Sequence, residues 1–108
     1  MDERRKHPRM SCTDTSIQGA FRLADGIIRE LRLVARNVSR GGIAIMHEGS
    51  AEPGTSCNLV LPTRNGELIA IRGSVRSCRN VAVMIHEIGV EFDDPLDAES
   101  FTELSIVE

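Results

Sequence analysis

The chain has no tryptophan, no tyrosine and only three phenylalanines in 108 residues. Non-specific binding of single-stranded nucleic acid relies on aromatic side chains as stacking platforms, and this chain offers few. Positive charge is also short, since the formal net charge is -3. That balance argues against a face that coats nucleic acid, so no nucleic-acid partner is expected. Cysteines are few and far apart. Cys12, Cys57 and Cys78 form no CxxC pair, and their odd number fits neither a disulfide framework nor a zinc site. His7, His47 and His86 are equally scattered, so no metal is expected. Unpaired cysteines fit a reducing cytoplasm, which is the expected location. No apolar run approaches the ~18 residues of a membrane span, and the opening residues are too polar for a secretory signal. Direct membrane insertion is therefore not expected. A catalytic set is missing as well. Ser39 has no neighbouring His–Asp pattern, and Gly41-Gly42 make no nucleophile elbow, so an enzyme is not expected.

What the chain does have is alternation. Leu31, Leu33 and Ala35 fall on one side of a strand, with Arg32, Val34 and Arg36 on the other. Ile43/Ile45, Leu59/Leu61, Ile69/Ile71, Val81/Val83/Ile85 and Ile88/Val90/Phe92 repeat the pattern. Period two predicts half-buried strands. Asp25-Gly26, Gly41-Gly42, Pro53-Gly54 and Asn65-Gly66 supply the turns between them. Asn65-Gly66 predicts a tight hairpin in which both residues take positive φ. Short antiparallel strands at this spacing predict a barrel or a sandwich, and a barrel also removes exposed edges. Near the end, Asp94-Pro95 reads as an N-cap followed by proline at the first helical position. A short helix is expected over about 95–105, with Leu96, Phe101 and Leu104 as its apolar stripe and Asp93 at a strand end. Length suits one domain, with a basic segment 1–10, a barrel 11–93 and a helix with tail 94–108.

The basic segment reads ERRKHPR and places Arg4, Arg5, Lys6 and Arg9 together. Arg5 and Arg9 form RxxxR, and Pro8 biases the segment against helix. A guanidinium donates two parallel hydrogen bonds to a phosphate or to O6 and N7 of guanine. Twenty-seven residues separate Arg9 from Asn37 of RNVSRGGIAI, where Asn37, Ser39 and Gly42 make NxSxxG. Asn37 carries an acceptor for a base edge, and the Ser39 hydroxyl can donate to a phosphate. Gly41 and Gly42 permit positive φ and close approach of a ligand.

RxxxR followed at this distance by (D/N)xSxxG resembles the signature of the PilZ domain family. Gly73-Ser74-Val75 is similar to that family's GxV strand, and Ile88-Gly89-Val90-Glu91-Phe92 to its closing strand. The resemblance implies a mostly β fold, a six-stranded antiparallel β-barrel with a short C-terminal helix and a flexible N-terminal strap. It also implies a receptor for cyclic di-GMP, with Arg5, Arg9, Asn37, Ser39, Gly41 and Gly42 at the ligand. Arg4, just before RxxxR, stands where the family's residue is associated with ligand stoichiometry, and arginine there is similar to the type that takes a stacked pair. A downstream protein partner is implied but not identified, and a nucleotide-blind adaptor on the same fold is the alternative. Two departures stand out. Asn37 replaces a common aspartate and, with one acceptor oxygen, cannot accept from guanine N1–H and N2–H together. Ser77 stands where an aromatic residue often follows GxV, which is expected to alter barrel packing or the ligand-facing surface.

Overall fold

The computed structural model describes residues 7–13 and 15–107. The strands are β1 (Met10–Ser11), β2 (Ser16–Arg22), β3 (Ile28–Ser39), β4 (Gly42–His47), β5 (Ser56–Pro62), β6 (Leu68–Ala82) and β7 (Ile85–Phe92), followed by the helix α1 (Ala98–Glu103). Neighbours run β3-β2-β5-β6-β7-β4, all antiparallel, and β4 pairs back onto β3. That last pairing closes a six-stranded barrel. β1 is an extra strand on the edge of β3 that β2 also uses, pairing Met10 with Val38 and Ser11 with Asn37.

Alternation explains the inside of the barrel. Leu33, Ala35, Ile43, Ile45, Leu59, Leu61, Ile71, Ile88, Val90 and Phe92 are all buried. β2 adds Ile17 and Phe21, with Gly19 between them. A Cβ on Gly19 would lie 2.7 Å from a Leu59 methyl, so glycine there leaves room for the large side chains around it. Leu104 and Ile106, just past the helix, are fully buried. Thr13 N–H donates to the Ile106 carbonyl and Ser105 N–H to the Pro62 carbonyl, which ties this last segment to the barrel wall.

Three expectations change. Val81, Val83 and Ile85 are exposed rather than half-buried. They sit at the end of the β6–β7 hairpin, beyond the last β5–β6 pair at Ser56 and Ser74. The Asn65-Gly66 turn is longer than a two-residue hairpin. Only Gly66 has positive φ, at 87°, while the Asn65 side chain accepts from Thr63 Oγ1 and from Glu67 N–H. The helix begins at Ala98, not 95. Its N-cap is Asp97, whose Oδ1 accepts from Ser100 N–H at 2.7 Å, because Leu96 is held outside the helix by a bond from its N–H to the Arg40 carbonyl.

Candidate ligand-binding site

Two β-bulges decide which side chains reach the outer face. On β3 the inward residues are Leu33 and Ala35, so unbroken alternation would turn Asn37 and Ser39 into the core. The β3–β4 register shifts between Ala35 and Asn37, and the next buried residue is Val38. One extra residue thus sends Asn37 and Ser39 outward. β6 repeats the device. Its register with β7 shifts between Val75 and Ser77, after which Cys78 packs on the core and Ser77 is exposed.

The two re-aimed stretches meet across four strands. Asn37 pairs with Ala44, Ala44 with Gly89, and Gly89 with Ser77. This row of short side chains forms the floor of an open cavity of about 650 Å³. Beyond the floor, Glu87 stands on one side and Glu91 on the other, both lining the cavity. Glu87 is bound by Arg36 Nε at 3.2 Å and Arg79 Nη2 at 3.1 Å. Glu91 is bound by Arg76.

Arg9, Asn37, Ser39, Gly41 and Gly42 all line this cavity, together with His7. Arg4 and Arg5 lie outside the described residues. Arg9 is exposed and is directed to this face by β1, whose Met10–Ser11 pair with Val38 and Asn37. Ser39 first serves its own turn, since its Oγ accepts from Gly41 N–H at 3.2 Å and donates to the Gly42 carbonyl at 3.5 Å. Gly41 and Gly42 are not among the positive-φ residues, contrary to expectation. Gly42 is needed for close approach, because a Cβ there would collide with the Val90 carbonyl oxygen of β7. Arg40 does not line the cavity and donates from Nε to the Leu96 carbonyl at 2.6 Å.

Electrostatics around the floor are mixed. Arg9 and Arg76 contribute positive charge, and Glu87, Glu91 and Asp93 negative charge. Burial pushes the Cys57 thiol up to about 11, with the nearby Asp93 charge adding to the shift. The Asp97 carboxyl is lowered, first by the Ser100 backbone N–H that it caps.

The chain matches the PilZ domain family over residues 3–106. It belongs to that family. No curated protein matches the chain by sequence. Among solved structures, the PilZ domain with c-di-GMP of YcgR from Escherichia coli is similar at a TM-score of 0.69 and 16% identity, covering 94% of this chain and 86% of that one. The Bacillus subtilis inhibitor of motility MotI (DgrA) is similar at a TM-score of 0.67 and 21% identity over 95% of this chain. The K. pneumonia MrkH–c-di-GMP complex gives 0.63 and 16% over 87%. This chain spans 49% of the MotI chain and 45% of the MrkH chain, about half of each. At these identities the likeness is one of fold.

Within the PilZ barrel, Ser77 faces the cavity rather than the core, so its departure from an aromatic residue changes the floor and not the barrel packing. The residues that sequence reading missed are the acids of the wall. A signal for them existed. With Ile88, Val90 and Phe92 inward, the alternate residues Glu87, Gly89, Glu91 and Asp93 fall on the outer face.

Proposed function

We propose that this chain is a receptor for cyclic di-GMP, bound in the cavity between the N-terminal segment and the β3–β4 turn. One observation carries the reading. Arg9 of the first motif and Asn37, Ser39, Gly41 and Gly42 of the second line the same 650 Å³ cavity, although 27 residues separate the motifs. Cyclic di-GMP has two phosphates and two guanines, and an arginine fork bonds either. Arg4 and Arg5 complete the basic strap in this reading. The ligand draws residues 1–10 over the cavity, and charge-assisted contacts offset the entropy of ordering them. The reshaped surface then meets a downstream protein partner in the cytoplasm, with no chemistry performed on the ligand. The chain acts as a single unit of strap, barrel and helix.

Calorimetric titration with cyclic di-GMP, with GTP as control, tests this. Selective saturation is expected, and Arg5→Ala or Arg9→Ala is expected to weaken binding about tenfold to a hundredfold with the fold retained. The molar ratio reports whether Arg4 accompanies one ligand or a stacked pair. Absence of binding at high protein concentration would leave the PilZ barrel as a nucleotide-blind adaptor.

A further inference from the structure

The three acids of the cavity pose a problem for a ligand with two phosphates. Glu91 is neutralised by Arg76, and Glu87 by Arg36 and Arg79. Asp93 has no cation or hydrogen-bond donor at its carboxylate among the described residues. Its backbone is nonetheless held. Asp93 N–H donates to the Arg72 carbonyl at 2.9 Å, and the preceding residue, buried Phe92, donates its N–H to the Gly41 carbonyl at 2.9 Å. Asp93 therefore stands beside the β3–β4 turn and lines the cavity from anchored backbone. Facing a phosphate, it would repel the ligand. Facing paired N–H donors, it would hold it.

We propose that Asp93 reads guanine in this cavity. Its two oxygens accept from the N1–H and N2–H donors on the Watson–Crick edge of a guanine base, the contact that Asn37, with one acceptor oxygen, cannot make. Adenine presents an acceptor at N1, so the same carboxylate disfavours it. In this reading the acid that reads the base stands at the end of β7, across the β3–β4 turn from Asn37 at the end of β3. This rests on the cyclic di-GMP reading above.

The test compares cyclic di-GMP with its inosine analogue, which lacks the 2-amino groups, on the wild-type chain and on Asp93→Asn. The wild type is expected to lose tenfold or more in affinity when the amino groups are removed, since a charge-assisted bond is lost. Asp93→Asn is expected to bind cyclic di-GMP at least tenfold more weakly and to lose most of its discrimination between the two ligands. Asn37→Asp added to Asp93→Asn is expected to restore that discrimination. If Asp93→Asn keeps the wild-type ratio between the two ligands, or binds cyclic di-GMP more tightly, the carboxylate acts on the ligand only through its charge and the proposal is overturned. A wild-type chain that ignores the missing amino groups overturns it without any variant. Those results leave the receptor reading standing, whereas a wild-type chain that binds neither ligand removes both.

Discussion

Arg40 and Leu96 are joined by two hydrogen bonds that run in opposite directions. Leu96 N–H donates to the Arg40 carbonyl at 2.7 Å, and Arg40 Nε donates to the Leu96 carbonyl at 2.6 Å. The pair fastens the β3–β4 turn to the connection between β7 and α1. Arg40→Ala removes one of the two bonds and leaves the Leu96 carbonyl to water. A loss of about 1 kcal/mol in urea denaturation is expected. Hydrogen exchange at the Leu96 amide should speed up more than exchange in the barrel strands, because its own bond then rests on a looser turn.

Gly41 and Gly42 are adjacent but should respond differently to alanine. A Cβ at Gly42 meets the Val90 backbone, which cannot yield without moving β7. At Gly41 the nearest atom is His7 Cδ2 at 3.1 Å, a side chain that can turn aside. Gly42→Ala is expected to cost about 1–3 kcal/mol and Gly41→Ala less than about 0.5 kcal/mol. Thermal melts of both variants check this, and equal effects would contradict the packing argument.

Met84 is the one non-glycine residue with positive φ among the described residues, at 58°. It is 70% exposed, so its side chain contributes little packing to offset the backbone strain. Met84→Gly is expected to stabilise the protein by about 0.5–1 kcal/mol, since glycine adopts this φ without the Cβ strain that methionine bears. Unchanged or lowered stability would mean that the exposed methionine makes a compensating contact.

Cys57 gives a pH dependence with a definite sign. Its folded-state pKa is about 11, above the ordinary 9.0, mainly because burial penalises the thiolate. Between these values the folded state binds the proton more tightly than the unfolded state does. The contribution is whole below pH 9 and is lost as pH rises toward 11. Cys57→Ala should therefore flatten the fall in stability across that window in urea titrations at fixed temperature. At pH 8 the native thiol, 1% exposed, should resist thiol reagents until the barrel opens.

Much of the barrel was legible because apolar residues at every second position mark strands whatever their neighbours are. Ile43, Ile45, Leu59 and Leu61 needed no structure to be placed inside. β2 escaped notice because its middle inward position is Gly19, which leaves Ile17 and Phe21 looking isolated. Val81, Val83 and Ile85 misled for the opposite reason. Alternation reports a strand but not whether anything covers it, and this stretch runs past the barrel. The helix start was displaced because Asp94-Pro95 and Asp97 both carry cap chemistry, and a tertiary bond from Leu96 to Arg40 chose between them. At the candidate site, the motif spacing pointed to Arg9, Asn37 and Ser39. The acids Glu87 and Glu91 went unread and Asp93 was placed only at a strand end, because which wall they line depends on how β7 sits against the β3–β4 turn.

The bulge between Ala35 and Asn37 puts one more side chain on the outer face than strict alternation allows. Substitution at Asn37 or Ser39 would trade one polar group for another on the same wall. Deleting Arg36, one of the two successive residues that face outward at the bulge, would return β3 to simple alternation with Ala35 in, Asn37 out, Val38 in and Ser39 out. The extra residue thus lets Arg36, which binds Glu87, and Asn37, which lines the cavity, stand side by side on one face, and losing it would cost one of these two polar positions while leaving the face outward.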